Sequence, residues 1–399
     1  MKVLKFTIAF LIIAAALFAV IIGVNLTAFK AVFSDRTSFA EGSEWIERTY
    51  SLAGLVEFIE ANPQHVSIVT FNIDDPSESI LYNETEMRPL GALYSLFLVM
   101  EYAKQVEAGM IDPQTRVNID EINTFIVPGW YESANRNAIR NLRSRDNTVS
   151  LDDVITLITR HFSQAASDWL FFHLGADNVN QLTDSLGNGH IERYAPAAGI
   201  QSAIILRDAD MTKEEAVQFY LHLDALERSD IFQNYALKFV EDYDFRNRVK
   251  NAAPRLRDRQ LADERRVHRL FSRAQPIVFT QIAGEVFRRE FVNEALSNRI
   301  LERFLWVGED PVVRQHTTIY GALFESRLSY LSALDFGTSV YTGKSFVQTV
   351  FFSDLPIAFW LHMSSNFMNH EYQRRLIYDP EMRRITALAA EGNLTETLP

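Results

Sequence analysis

Hydrolytic chemistry needs a nucleophile, a base to activate it and a donor to steady developing charge, and this chain lacks the usual ways of supplying them. It contains no cysteine, which excludes a thiolate nucleophile, a thiolate metal site and disulfides. Its nine histidines show no H-E-x-x-H or comparable ligand spacing, and His370-Glu371 is not followed by a second histidine in register. No G-x-S-x-G turn occurs. A serine three residues before a lysine on a helix would place the amine one turn from the hydroxyl. None of the eight lysines has a serine there, and the only hydroxyl so placed is Thr27 before Lys30. Gly337 to Ser345 (GTSVYTGKS) imitates a phosphate-binding loop, but five residues rather than four separate Gly337 from Gly343-Lys344. Asp168, Asp335 and Asp354 read as surface or loop charges, because nothing in their spacing pairs two carboxylates for acid/base work. No metal or other cofactor is expected.

The elements that must position any site follow from apolar periodicity and breakers. Leu52 to Ile59 has helical spacing and stops at Asn62-Pro63, followed by strand-like His65 to Ile73 and Ser79 to Tyr82 around the turn Asp74-Asp75-Pro76. Leu93 to Ala108 predicts a buried helix closed by Gly109. From Asp112 to about Val307 the pattern is helical: Leu151 to His161, Ala165 to Leu174, Val179 to Leu186, Lys213 to Leu226 and Ile282 to Trp306. Strands are expected again at Tyr330 to Leu334, Ser345 to Ser353 and Pro356 to Ser364, then one helix from His370 to about Ala390. The fold class is therefore α/β in the α+β sense: an antiparallel sheet completed from both chain ends, flanked by helices, with an all-helical lobe (about 112–307) inserted.

The segment Glu86 to Gly109 (EMRPLGALYSLFLVMEYAKQVEAG) resembles the part of class A β-lactamases and related penicillin-binding serine hydrolases that carries their S-x-x-K motif. The resemblance extends over roughly residues 50–378. Counting back from Gly109 at that family's spacing, the nucleophile position holds Ala92 and the lysine position holds Ser95. The resemblance places Phe162, Ser163 and Gln164 at the S-D-N motif, or Ser163, Gln164 and Ala165 with a one-residue slip. The K-T-G motif, which lies on the first late strand at the edge of the cleft, falls on Asp335-Phe336-Gly337, or alternatively on Tyr341-Thr342-Gly343. Either register lacks the lysine that helps bind a substrate carboxylate, and Asp335 would reverse its charge. Backbone N–H groups at Ala92 and Thr338 would remain as oxyanion donors. Tyr194 to Leu206, where the resemblance implies a loop with a deacylating acid, contains no Asp or Glu.

The net charge of −12 argues against nucleic acid as a partner. One window departs from it, with ten Lys or Arg against four Asp or Glu between Asp244 and Arg273. It reads either as a solvated insertion paired with surrounding acids or as a docking face for an acidic partner or anionic lipid, through Arg255, Arg257, Arg259, Arg265 and Arg266. Lys2 and Lys5 precede an uncharged run from Phe6 to Val24, long enough to span a bilayer as a helix. This predicts an uncleaved anchor over 1–25 with the chain beyond it outside the inner membrane, periplasmic or extracellular. A linker (26–49), the folded domain (50–390) and a disordered tail (391–399) complete the expected organisation. The combined expectation is a membrane-tethered, catalytically silent relative of these hydrolases that binds an envelope protein or a peptidoglycan-like ligand. The alternatives are an active hydrolase with rearranged catalytic residues and a structural role through the basic insertion.

Overall fold

Two hairpins from opposite ends of the chain meet in one antiparallel sheet. The computed structural model describes residues 40–129, 132–142, 146–253, 261–305, 317–322 and 330–394. The strands are β1 (Val66–Asn72), β2 (Ile80–Tyr82), β7 (Thr317–Ala322), β8 (Ala333–Ser339) and β9 (Ser345–Phe352), in the order β2-β1-β9-β8-β7. β1 and β9 run in register from Val66 opposite Phe352 to Asn72 opposite Phe346. Short ribbons pair β3 (Arg88–Pro89) with β6 (Arg273–Ala274), and β4 (Arg116–Asn118) with β5 (Thr148–Ser150).

The helices are α1 (Ser43–Arg48), α2 (Leu52–Ala61), α3 (Ser95–Glu107), α4 (Ile119–Asn123), α5 (Glu132–Asn141), α6 (Leu151–Thr159), α7 (Gln164–His173), α8 (Ala176–Gly187) and α9 (Ala197–Ile205). They continue as α10 (Lys213–His222), α11 (Ala225–Glu241), α12 (Tyr243–Ala252), α13 (Leu261–His268), α14 (Pro276–Phe287), α15 (Glu294–Glu302), α16 (Ile357–Ser365), α17 (Met368–Tyr378) and α18 (Pro380–Ala390). Local chemistry sets many of these boundaries. Ser150 with Asp153 and Thr212 with Glu215 form capping boxes, each satisfying orphan N–H groups at a helix start.

Alternation along the strands sorts the core into two layers. Val347 and Phe351 join Leu334, Phe336, Phe279 and Phe97 on the side of the helical lobe. Val350 and Phe352 join Ile68, Phe58, Tyr372 and Met382 on the side of the terminal helices. Both faces are covered, so β1 and β9 are buried along nearly their whole length, the polar Ser67, Thr70, Gln348 and Thr349 included. In the lobe, α9 lies so close to α11 that a Cβ on Gly199 would stand 1.9 Å from the Phe232 carbonyl oxygen, so only glycine fits.

Several expectations are corrected. Pro356 to Ser364 is not a strand: Pro356 leads into α16, which buries Ile357, Phe359 and Met363. The expected last helix is broken into α17 and α18, because Pro380 has no N–H to continue the ladder and Asp379 caps the next helix. Asn293 caps α15 as a helix separate from α14, and Asp224 opens α11 inside the expected Lys213 to Leu226 helix. The inserted lobe is not wholly helical, since it carries β4, β5 and β6. The tail is packed as far as Leu394, which is buried and donates its backbone N–H to Glu60 Oε1 at 2.9 Å. Among the described residues no helix is long and apolar enough to cross a membrane, and the Phe6 to Val24 run lies outside them.

Candidate functional site

Gly91 to Tyr94 form a 3₁₀ turn that feeds directly into α3. The turn is held from behind, where β3 pairs with β6 and Leu90 N–H donates to the Ser272 carbonyl at 2.8 Å. Arg88 adds a buried clamp: Nε donates to Ser67 Oγ at 2.8 Å, while Nη1 donates to the Gln64 carbonyl at 2.7 Å and to Ser353 Oγ at 3.2 Å. Arg-Pro before the turn thus has a mechanical reason, as the guanidinium ties it to the start of β1 and the end of β9.

What this turn presents is apolar. Ala92 stands at its centre, and Ser95, buried as the first residue of α3, has no protein hydrogen-bond partner for its hydroxyl. Ser95 makes no hydrogen bond back to the Gly91 carbonyl. Above them remains a cavity of about 20 Å³ lined by Ala92, Ser95, Phe162, Gln164, Tyr194 and Phe271 among others. That is room for about one water. No residue lining it carries a formal charge. Its tyrosines stay protonated: burial raises Tyr94, and burial with the adjacent Asp168 carboxylate holds Tyr194 well above the usual phenol range. Neither supplies a base.

The second motif is spent on structure. Phe162 takes a left-handed φ of 52° in the tight turn after α6. Ser163 caps α7: its Oγ accepts from Ala166 N–H at 3.2 Å and donates to Asn135 Oδ1 at 2.7 Å. Gln164 points its amide oxygen toward Gln201 Nε2 at 3.4 Å. Phe162 and Gln164 line the cavity, and the Ser163 hydroxyl is already committed to the α7 cap and Asn135.

The third motif requires a correction. The first late strand, at the edge of the sheet, is β7, whereas Asp335, Phe336, Gly337 and Thr338 lie on β8 with partners on both sides. Asp335 turns toward α17 and Phe336 packs on Phe287 in the core, so neither lines the cavity above Ala92. Thr338 sits opposite Thr318 and Ser345 within the ladders and is not placed as an oxyanion donor at Ala92. Tyr341-Thr342-Gly343 lies in the β8–β9 hairpin turn, which also disposes of the phosphate-loop imitation. No lysine occurs in the edge strand Thr317–Ala322.

Two further expectations change. Tyr194 to Leu206 is largely helix α9 rather than a loop, and Asp168 is no surface charge. Asp168 is fully buried and accepts from Tyr194 Oη at 2.8 Å, Ala197 N at 3.0 Å and Ala198 N at 2.8 Å, capping α9 from a distance. Its only sequence signal is Pro196 before an apolar run. In the basic window, Arg265 pairs with Glu41 at 3.1 Å and Asp354 at 3.4 Å, and Arg266 pairs with Glu214 at 3.1 Å and Asp263 at 3.0 Å. Both are paired with acids of the same chain; Arg255, Arg257 and Arg259 lie outside the described residues.

A family model described as the Beta-lactamase enzyme family matches residues 52–260, just over half the chain. The chain belongs to the β-lactamase enzyme family. Solved structures similar to this β-lactamase family member include a beta-lactamase from Chitinophaga pinensis, at 12% identity and a TM-score of 0.48, covering 79% of this chain and 98% of that one. A class A beta-lactamase representative from Bacteroides cellulosilyticus has 11% identity and a TM-score of 0.46, with coverage of 85% and 98%. A beta-lactamase from Burkholderia ambifaria has 9% identity and a TM-score of 0.45, with coverage of 80% and 98%. No curated protein matches the sequence. Ala92 and Ser95 stand where the resemblance puts the serine and lysine.

Proposed function

We propose that this β-lactamase family member is catalytically silent and serves as a binding or interaction module of the cell envelope, tethered by its N-terminal apolar segment. The observation that carries the reading is the turn at Ala92, a methyl group with a buried serine one helical turn on, beneath a cavity of about 20 Å³ with no charged lining residue. Removing a nucleophile or its base from a hydrolase costs on the order of a million-fold in turnover. A cavity holding about one water has no room for an acyl substrate. The anchor is supported by the Phe6 to Val24 run behind Lys2 and Lys5, and the partner class, an envelope protein or peptidoglycan-like ligand, by that location alone.

The test is to incubate the full-length chain with a fluorescent penicillin and read intact mass. No covalent adduct is expected. An adduct would overturn the proposal. A second reading, an active hydrolase with rearranged residues, is favoured by one detail: the Ser95 hydroxyl lines the cavity and is unpartnered. An acyl group mapped to Ser95 or Ser163 would select it.

A further inference from the structure

On the opposite face of the sheet from Ala92 lies a larger cavity of about 320 Å³, within the size range of small-molecule pockets, roughly 300–1,000 Å³. It opens where the β8–β9 turn (Thr342, Lys344), the start of β2 (Ile80), the start of β9 (Phe346) and the joint between α17 and α18 converge. Phe346 shares the parity of Val350 and Phe352, which pack against the terminal helices, so this cavity is separated by the sheet from the helical lobe and its cleft.

The side chain that distinguishes it is Arg383. Its guanidinium lies over the Phe346 ring, 4.0 Å from the centroid. Nη1 donates to Thr70 Oγ1 and to the Leu376 carbonyl, each at 3.2 Å, and Nη2 donates to the Glu78 carbonyl. Every acceptor is neutral, and Arg383 forms no ion pair among the described residues. The one acid that acts on it is already engaged, as the Glu78 carboxylate takes Lys344 Nζ and Asn72 Nδ2 (2.9 Å); the neighbouring Arg384 is held by Glu381 at 2.6 Å. Burial pushes Arg383 down to about 10, the effect of a cation held away from water with only the distant pull of Glu78 to offset it. A largely buried cation without a counter-ion is costly, and an anion delivered to it recovers that cost. Lys344, Arg383 and Arg384 line the cavity against the single carboxylate of Glu78, while Ile80, Ile377, Pro380 and Ala387 make the rest of the wall apolar.

We propose that this cavity binds a small amphiphilic carboxylate, whose carboxylate meets the Arg383 guanidinium and whose apolar body lies against Ile377 and Ala387. A guanidinium fork matches a carboxylate in two parallel hydrogen bonds, and an apolar body uses wall that a bare inorganic anion would leave unused. The site lies outside the cleft, so it stands whether or not the chain is catalytically silent.

Calorimetric titration of the full-length chain with 3-phenylpropanoate, and with its neutral amide as control, tests this. Saturable binding of the acid is expected, with the amide about tenfold weaker or worse. Ala387→Trp, which fills the cavity and keeps every charge, should abolish binding. Lys344→Gln should weaken it a few-fold, and Arg383→Gln should weaken it about tenfold or more. Arg383→Gln also removes bonds to Thr70, Leu376 and Glu78; should that variant fail to fold, Ala387→Trp and Lys344→Gln decide. Absence of saturable binding by the acid, equal affinity for acid and amide, or unchanged binding in Ala387→Trp would each overturn the proposal. Displacement by inorganic phosphate at concentrations equal to the acid would overturn the ligand class.

Discussion

Two buried aspartates, one on each side of the sheet, have opposite circumstances. Asp168, in the helical lobe, receives a phenol and two backbone N–H groups, so its charge is solvated by fixed donors that also start α9. Glu192 repeats the pattern nearby, bonded by Arg228 at 2.6 Å and Arg273 at 2.7 Å. Asp335, on β8, receives Gln348 Nε2 at 3.0 Å, and its other oxygen has no partner among the described residues. Around it Gln348 Oε1, both side-chain amide atoms of Gln373 and Asn369 Nδ2 are equally unmatched. Burial pushes Asp335 up to about 7, with Gln348 and Arg374 pulling the other way. The lobe therefore uses carboxylates as architecture, whereas the layer beneath the sheet buries polar groups that its own contacts do not satisfy.

The strongest attempt to break this comparison is Asp168→Ala, which strands the Tyr194 hydroxyl and the first N–H groups of α9. It should cost about 3–5 kcal/mol in denaturant unfolding, and a loss under 1 kcal/mol would remove Asp168 from the architecture. Next is Gly199→Ala, where the new Cβ meets the Phe232 carbonyl. A loss of about 2–3 kcal/mol is expected if α9 and α11 are as rigidly packed as the lobe's polar network implies.

Asp335→Asn should act in the other direction. The folded state holds the Asp335 proton up to about 7, while the unfolded chain releases it near the ordinary value of 3.8. The stabilising contribution of the protonated acid is thus complete below pH about 4 and is lost as pH rises toward 7. Asparagine, neutral throughout, should be more stable than wild type by on the order of 2 kcal/mol at pH 8, with the gap closing near pH 4. A gap that widened on acidification would reverse the assignment. The smallest effect belongs to the cleft: Ser95→Ala removes a buried, unpartnered hydroxyl and should raise stability by about 0.5–1 kcal/mol. Measured beside the fluorescent-penicillin assay, it also separates the two functional readings, because a reactive Ser95 would lose its adduct.

The legible parts of this molecule are those fixed within a few residues along the chain. The buried helix closed by Gly109, the early hairpin and the strand from Ser345 follow from spacing and breakers, and the structure has them. Pro356 to Ser364 is rich in aromatic and branched residues and yet is a helix, because a short apolar run does not say whether a sheet position remains to be filled. The edge strand Thr317–Ala322 is not legible in the sequence, because it is short and carries no lysine to announce it.

From the order of its residues alone the chain fixes what is missing: no thiol anywhere and no lysine one turn beyond a serine. Covalent identity settles such facts before any folding occurs. Only the tertiary structure decides that β7 is the edge, that Asp168 and Asp335 lie inside, that Arg265 and Arg266 are paired and that Arg383 has no ion pair among the described residues. Each of these depends on groups brought together from distant parts of the chain, and burial and pairing exist only once the elements have packed.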